Sequence, residues 1–383
     1  MRIVDITERA VAISRYADPA IPSGGLTTSI VALTTDAIRD GRPVIGFGFA
    51  SIGRFAQSGL IGERFAPRLR EAGEAIASED GGNLDPFRGW AAMMRGEKPG
   101  GHGERCVAIG TLDMALWDAA AKIAGLPLYR FLAARLGRAA MPDMAAYAGG
   151  GYPYPGDDRS RLADEMRRLR DLGYTRAKIK IGAAPLAEDL RRIAAAARVM
   201  PEDRLAVDAM NSYDAAGALA AAAALAPQGL WWFEDVCDPL DFETQASVAA
   251  AYDGRIAAGE ALFSAEEARL LDRYGGLRRE RDILLFDPVH CYGVPGYLRI
   301  VESLTARGWT RASFWPHGGH LFCLHLVSAL GLGGAEINPL CFAPFGGLAD
   351  GMTPSGGRVA PPEAPGIGFE GKADLRALFE TLA

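Results

Sequence analysis

Six residues at nearly even spacing carry the chemistry open to this sequence: Lys180, Asp208, Glu234, Glu260, Asp287 and His317. Each carboxylate closes a short apolar run, as in LAVD, GLWWFE, RIAAGE and ILLFD, and His317 follows ASFWP. The successive intervals are 28, 26, 26, 27 and 30 residues, about one strand, one helix and two loops. A chain that ends each successive strand on a charged residue is assembling one site. Three carboxylates drawn within a few ångströms repel strongly unless a cation joins them. Hard oxygen ligands select a hard ion, so Asp208, Glu234 and Glu260 are expected to hold Mg2+, with Mn2+ as a substitute. Pairing of the three with nearby arginines is the alternative.

Two groups could move protons beside such an ion. Lys180 precedes the first ligand by one strand, and His317 follows the last by two, so they should approach from opposite sides. Lys178 shares a strand face with Lys180, and two close ammonium groups lower the proton affinity of one. A lysine so lowered can act as a general base. Asp287 can accept a hydrogen bond from the His317 ring and set its tautomer. The chemistry that fits is removal of a proton next to a carboxylate, with a divalent cation stabilising the enediolate. A second acid–base group then returns the proton on the other face, giving racemisation, or protonates a departing β-hydroxyl, giving dehydration. His320 and His325 are weaker candidates, since His317-Gly-Gly-His320 suits a loop, and His290 reads as a packing or surface histidine.

These residues need a scaffold that brings strand ends together. The stretch 176–182 alternates, with Arg176, Lys178 and Lys180 on one face and Ala177, Ile179 and Ile181 on the other. Alone, it reads more readily as a solvated surface strand. From about residue 140, strand and helix patterns alternate. MAAYAGG comes first, followed by strands at 176–182, 204–208, 229–234, 255–260, 282–287, 311–316 and 334–337, with helices between them. Such alternation implies a parallel sheet, and eight units fit a closed barrel whose site lies at the C-terminal strand ends. An open doubly wound sheet is the alternative, though no Gly-rich phosphate loop follows a strand.

Ahead of this lies a different region. MRIVDITERAVAI, SIVALTTDA and VIGFGFA read as strands, and 63–136 as helical, most clearly Val107–Ile123. Loops Ser14–Gly25 and Ser51–Gly62 are candidate lids. The stretch Glu97–Glu104 reads as a flexible connector whose Lys98 and His102 could reach a ligand. After Pro339 the chain is expected to return, ordered, across the first region and end in a helix over 373–382.

Composition narrows the class. The formal net charge of −6 argues against a nucleic-acid or acidic-membrane partner. The N-terminus lacks a signal-peptide core, and no run approaches the roughly 20 apolar residues of a membrane helix. Five scattered cysteines without a CxxC pair suit reduced thiols in the cytoplasm.

Taken together, Lys178-Ile-Lys180, the series Asp208, Glu234 and Glu260, the Asp287/His317 pair and the segment DMALWDAAAKIAGLPLY resemble the mandelate racemase subgroup of the enolase superfamily. The resemblance implies an α+β capping domain over 1–136, completed by 341–383, and a (β/α)7β modified TIM barrel over 137–340. Within the subgroup, EKPGGHGERCVAIGTLDMALWD and FDPVHCYGVPGY resemble the D-tartrate dehydratases. That likeness implies a hydro-lyase acting on a dicarboxylate or other acid sugar, in which Lys180 takes the proton and His317 protonates the leaving hydroxyl. Lys98 would bind the distal carboxylate, and the loops near Tyr16 and Ser51, with Tyr147, would read substrate shape. A homo-oligomer, dimer or octamer, is implied as well. Asn211 stands one place later than the asparagine many relatives carry, which leaves its role as a substrate contact open.

Overall fold

Two sheets of opposite character organise the chain in the computed structural model, which describes residues 1–382. The first is antiparallel, built from β1 (Ile3–Ala12), β2 (Thr27–Arg39) and β3 (Arg42–Phe49) in that order. The helix Glu104–Ala124, buried along almost its whole length, lies directly on β3. The glycines of VIGFGFA make this approach possible. A Cβ on Gly46 would stand 2.1 Å from the Ala115 carbonyl oxygen, and one on Gly48 2.4 Å from that of Thr111. The same helix touches the second sheet's loops, where a Cβ on Gly110 would stand 1.9 Å from the Val289 oxygen and Asp113 accepts from Val294 N–H at 2.7 Å.

The second sheet is parallel and curls round. Its strands are β4 (Met144–Gly149), β5 (Ala177–Lys180), β6 (Leu205–Asp208), β7 (Phe233–Glu234), β8 (Ile256–Ala258), β9 (Ile283–Leu284) and β10 (Ala335–Ile337), with β10 pairing back to β4. The eighth stave is not a regular strand. Where the sequence predicts one over 311–316, a 3-10 turn at Arg311–Ser313 leads into an extended segment. That segment donates from Trp315 and His317 N–H to Leu284 and Leu285, and Phe314 accepts from Gly333. The circle closes through these bonds, so the expected cap plus modified barrel is the observed architecture.

Strand alternation sorts the side chains. Ala177, Ile179 and Ile181 face outward into the core shared with the surrounding helices. Inside the barrel, Tyr147, Trp231, Trp232 and Trp315 pack ring against ring. The lysine face of β5 therefore points inward, not to solvent. Helices flank the strands at Asp158–Asp171, Leu186–Ala197, Ala215–Leu225, Phe242–Ala251, Ala265–Tyr274, Gly293–Thr305 and Leu321–Leu330. After β10 the chain adds β11 (Arg358–Val359), antiparallel to β4. It ends in the helix Ala373–Glu380, where Phe379 stacks on Phe47 of β3 at 4.6 Å.

Candidate functional site

Register builds the centre of the site. Lys180 on β5 pairs with Asp208 on β6, and Asp208 pairs with Glu234 on β7. The three side chains lie on one rung at the strands' C-terminal ends. Lys180 Nζ donates to Asp208. One layer deeper, Lys178 Nζ meets Glu234 at 2.6 Å, Glu336 at 3.1 Å and Asp208 at 3.5 Å. Trp232 Nε1 donates to the other Glu234 oxygen at 2.8 Å. Glu336, on β10, did not emerge from the sequence, although an acidic residue ending GGAE is the same signal that marked the others.

Glu260 stands apart from this rung. Glu234 pairs with Ala257, so Glu260 lies three residues further on, past Gly259 at φ +120°. Its Oε2 is 3.5 Å from His317 Nε2 and has no hydrogen-bond partner. The carboxylate that instead closes up on Asp208 and Glu234 is Asp235, turned back by φ 48°. Burial and then the charges of Glu260, Asp208 and Glu234 push the Asp235 carboxyl well above the usual range. Four crowded carboxylates facing two lysines, with one oxygen unbonded, are a donor set suited to a hard divalent cation. Asp208, Glu234 and Asp235 could hold it, with Glu260 reaching in from above.

Lys178 acts on Lys180 in the expected direction, but the net shift of Lys180 is the reverse of the sequence expectation. Burial lowers the Lys180 ammonium and Lys178 lowers it further, but the Asp208 carboxylate against it outweighs both and raises it. Lys178 cannot dominate because three carboxylates already absorb its charge.

Across the cavity stands the second acid–base group. His317 Nδ1 bonds Asp287 Oδ2 at 2.9 Å, leaving Nε2 toward Glu260. Burial alone would keep the ring neutral, but Glu260 and the Asp287 hydrogen bond raise it to about 9. Asp287 is fully engaged: Ser51 Oγ donates to Oδ2 at 2.7 Å, and Val289 and His290 N–H donate to Oδ1. Asp287 thus ties the His317 ring and the His290 backbone into one hydrogen-bonded network, with the His290 ring itself outside it. The turn after His317 requires glycine. Gly319 sits at φ +63°, and a Cβ there would stand 2.1 Å from Asn338 Nδ2.

Lys180, His317, Glu260 and Asn211 line one cavity of about 270 Å3, together with Arg15, Arg54, Tyr152 and His290. Several expected substrate contacts lie elsewhere. Tyr147 is sealed inside the barrel, because β4 runs on past it to Gly149. Ser51 is fully buried behind the dyad, bonded to Asp287 and to His320 Nε2 at 3.0 Å. Tyr16 donates to the Pro153 oxygen at 2.5 Å and is not on the cavity wall, where its neighbour Arg15 stands. Lys98 lines a separate cavity with Trp90, Arg105 and Tyr292. Asn211 does face the site, held by N–H donation to the Asp235 carbonyl at 2.8 Å and by Nδ2 to its carboxylate at 3.3 Å. His290 is a buried packing residue, its ring against Phe263 and His317, and it lines the cavity as well. His325 is structural, accepting from Tyr129 N–H at Nδ1 and bonded at Nε2 to the Ile367 carbonyl at 2.9 Å. Among the described residues no helix is long and apolar enough to cross a membrane.

Residues 161–375, more than half of the chain, match the family described as enolase C-terminal domain-like. This protein belongs to that family. Among its enolase-type relatives is the L-talarate/galactarate dehydratase of Salmonella typhimurium, 28% identical over 306 residues that cover 79% of this chain and 71% of the relative. The D-galactarolactone cycloisomerase of Agrobacterium fabrum is also 28% identical, over 309 residues covering 76% and 78%. Among solved structures, an L-talarate dehydratase from Polaromonas sp. JS666, complexed with Mg and L-glucarate, superposes with a TM-score of 0.71 at 26% identity, covering 96% of this chain and 94% of that one.

Proposed function

We propose that this protein is a Mg2+-dependent acid-sugar dehydratase, a hydro-lyase that forms an α-keto acid. The observation that carries this reading is the pairing of Lys180 and the Asp287-bound His317 on one small cavity beside the crowded carboxylates. Relatives that act on acid sugars support it. Asp208, Glu234 and Asp235, with Glu260, would hold the ion. Bound there, Mg2+ would stabilise the negative charge that appears on the substrate carboxylate as the proton leaves. Lys180 would take the proton next to that carboxylate as the neutral amine, which requires that the Asp208 charge now holding its ammonium be answered by the ion instead. His317 Nε2, oriented by Asp287, gives its proton to the departing β-hydroxyl, which leaves as water; the ring then takes up the enol hydroxyl proton and delivers it to the enol carbon. Ser51 and His320 keep Asp287 in place. The finer reading is D-tartrate to oxaloacetate, and galactarate and other aldarates or aldonates are the alternative substrates.

The test is a panel of acid sugars, tartrate stereoisomers first, incubated with Mg2+ and scored for α-keto acid. Keto acid from at least one substrate is expected, and none from any would sink the reading. A racemase or epimerase could use the same two groups on opposite sides. Solvent deuterium entering the α-carbon without keto acid would select that reaction instead.

A further inference from the structure

We infer that Arg54 binds a second carboxylate at the non-reacting end of the substrate, with His290 bonding a neighbouring hydroxyl, so that the site is built for hydroxylated dicarboxylates. This rests on the dehydratase reading and names its substrate class.

Arg54 lies half-buried on the wall of the cavity that holds Lys180 and His317. Its guanidinium is stacked 4.7 Å over the Phe263 ring. Stacking fixes the plane of the fork but uses none of its five N–H donors. Among the described residues Arg54 makes no ion pair, and no hydrogen bond engages its side chain. The cap arginines close by behave differently, since Arg64, Arg68 and Arg105 all reach Glu97. A guanidinium held against an aromatic ring, unpaired and facing a cavity, is preorganised for an incoming carboxylate, which it can grip in a bidentate pair.

His290 is the second observation. It is 2% exposed, yet neither ring nitrogen has a hydrogen-bond partner. Buried imidazoles are normally bonded. Its ring lies 5.4 Å from Phe263 and 5.7 Å from His317, between the arginine wall and the acid–base group. Burial holds it neutral, down to about 4, so it offers one donor and one acceptor, the complement of a hydroxyl. Lys98, the sequence's candidate for the distal carboxylate, lines the other cavity. Arg15 is the remaining unpaired cation on this one, but it is exposed, 5.9 Å over Tyr152 beside Lys180.

The experiment compares matched pairs that differ only at the far carbon: tartrate with threonate, and galactarate with galactonate. The expected result is a kcat/KM preference for the diacid, cut about 30-fold in Arg54→Met, which is about 2 kcal/mol. The loss should fall mainly on KM and be partly restored in Arg54→Lys. A preference unchanged in Arg54→Met, a loss that follows Arg15→Met instead, or a wild-type preference for the monoacid would each overturn the inference. Binding of the same four acids to the Mg2+-loaded Lys180→Ala protein is read by calorimetry alongside. Arg54-dependent diacid binding without any keto acid from the wild type would uphold the inference and defeat the dehydratase reading. Keto acid formed with no diacid preference would do the opposite.

Discussion

Two charge clusters in this chain, one at the cap surface around Glu97 and one buried in the barrel, are built on opposite plans. In the cap, one carboxylate, Glu97, meets three guanidiniums: Arg64 at 2.7 Å, Arg68 at 2.8 Å and Arg105 at 3.4 Å. The one carboxylate is fully answered, and the excess positive charge of the arginines reaches solvent or backbone carbonyls, such as those of Met93 and Lys98. The segment read from sequence as a flexible connector is pinned by this knot. In the barrel, five carboxylates, Asp208, Glu234, Asp235, Glu260 and Glu336, face Lys178, Lys180 and the His317 ring, and a Glu260 oxygen is left without a hydrogen-bond partner. The first cluster is finished by the protein itself. The second has negative charge left over at the mouth of a cavity, where something from outside must complete it. Counting ionic contacts would rank the two alike; the sign of what remains unpaired separates structure from function.

That contrast can be broken at several points. Lys180→Ala should cost the largest factor, about a thousand-fold or more in kcat, and His317→Asn about a hundred-fold or more, both read as α-keto acid release. Wild-type-like turnover in either would remove that residue from the chemistry. Ser51→Ala should cost about tenfold in kcat with KM little changed, because one hydrogen bond to a buried carboxylate is lost behind the dyad. A rise confined to KM would mean that Ser51 touches substrate after all. Glu97→Gln should leave turnover per folded molecule intact while lowering unfolding stability by about 1–3 kcal/mol in denaturant titrations. Loss of turnover without loss of stability would erase the distinction between the clusters.

The smallest effect concerns pH. Burial lowers the His325 ring to about 4 from its usual 6.5, and the neutral ring joins the helix Leu321–Leu330 to Tyr129 and Ile367. The unfolded chain binds the proton first, so stability is full above about 6.5 and falls as pH drops toward 4, on the order of 1 kcal/mol per unit. A His325→Gln variant should show a shallower acid dependence over that window; an unchanged slope would mean that His325 does not carry it.

The rung Lys180–Asp208–Glu234 was legible in the sequence because residues at equivalent strand ends recur at the length of one strand, helix and loop. Spacing carries no register, however. Glu260 recurs on schedule, yet it sits above the rung because Ala257 is the residue that pairs with Glu234. Asp235 was invisible for a related reason. It follows its strand's last residue and returns to the site only through a positive φ. Tyr147 looked like a strand end, but two more residues of β4 carry the strand past it and leave the ring in the barrel's aromatic plug. The two candidate lid loops do reach the cavity, but through residues other than those named from the sequence. Their arginines, Arg15 and Arg54, face the cavity, while Tyr16 and Ser51 hold the loops in place. In the cap, the helix Pro86–Met94 was not separated within 63–136, although Asp85 caps it by accepting from Phe87 N–H with Pro86 following. The tight helix-on-strand packing at Gly46, Gly48 and Gly110 had no sequence signal beyond the glycines themselves.

The most direct test of the central claim is a calorimetric titration of chelator-stripped protein with Mg2+, repeated on Asp208→Asn, Glu234→Gln and Glu97→Gln. The account predicts one site in the wild type and in Glu97→Gln, and its loss in both barrel variants while they remain folded by circular dichroism. Binding that survives both barrel substitutions, or no binding to the wild type, would contradict it.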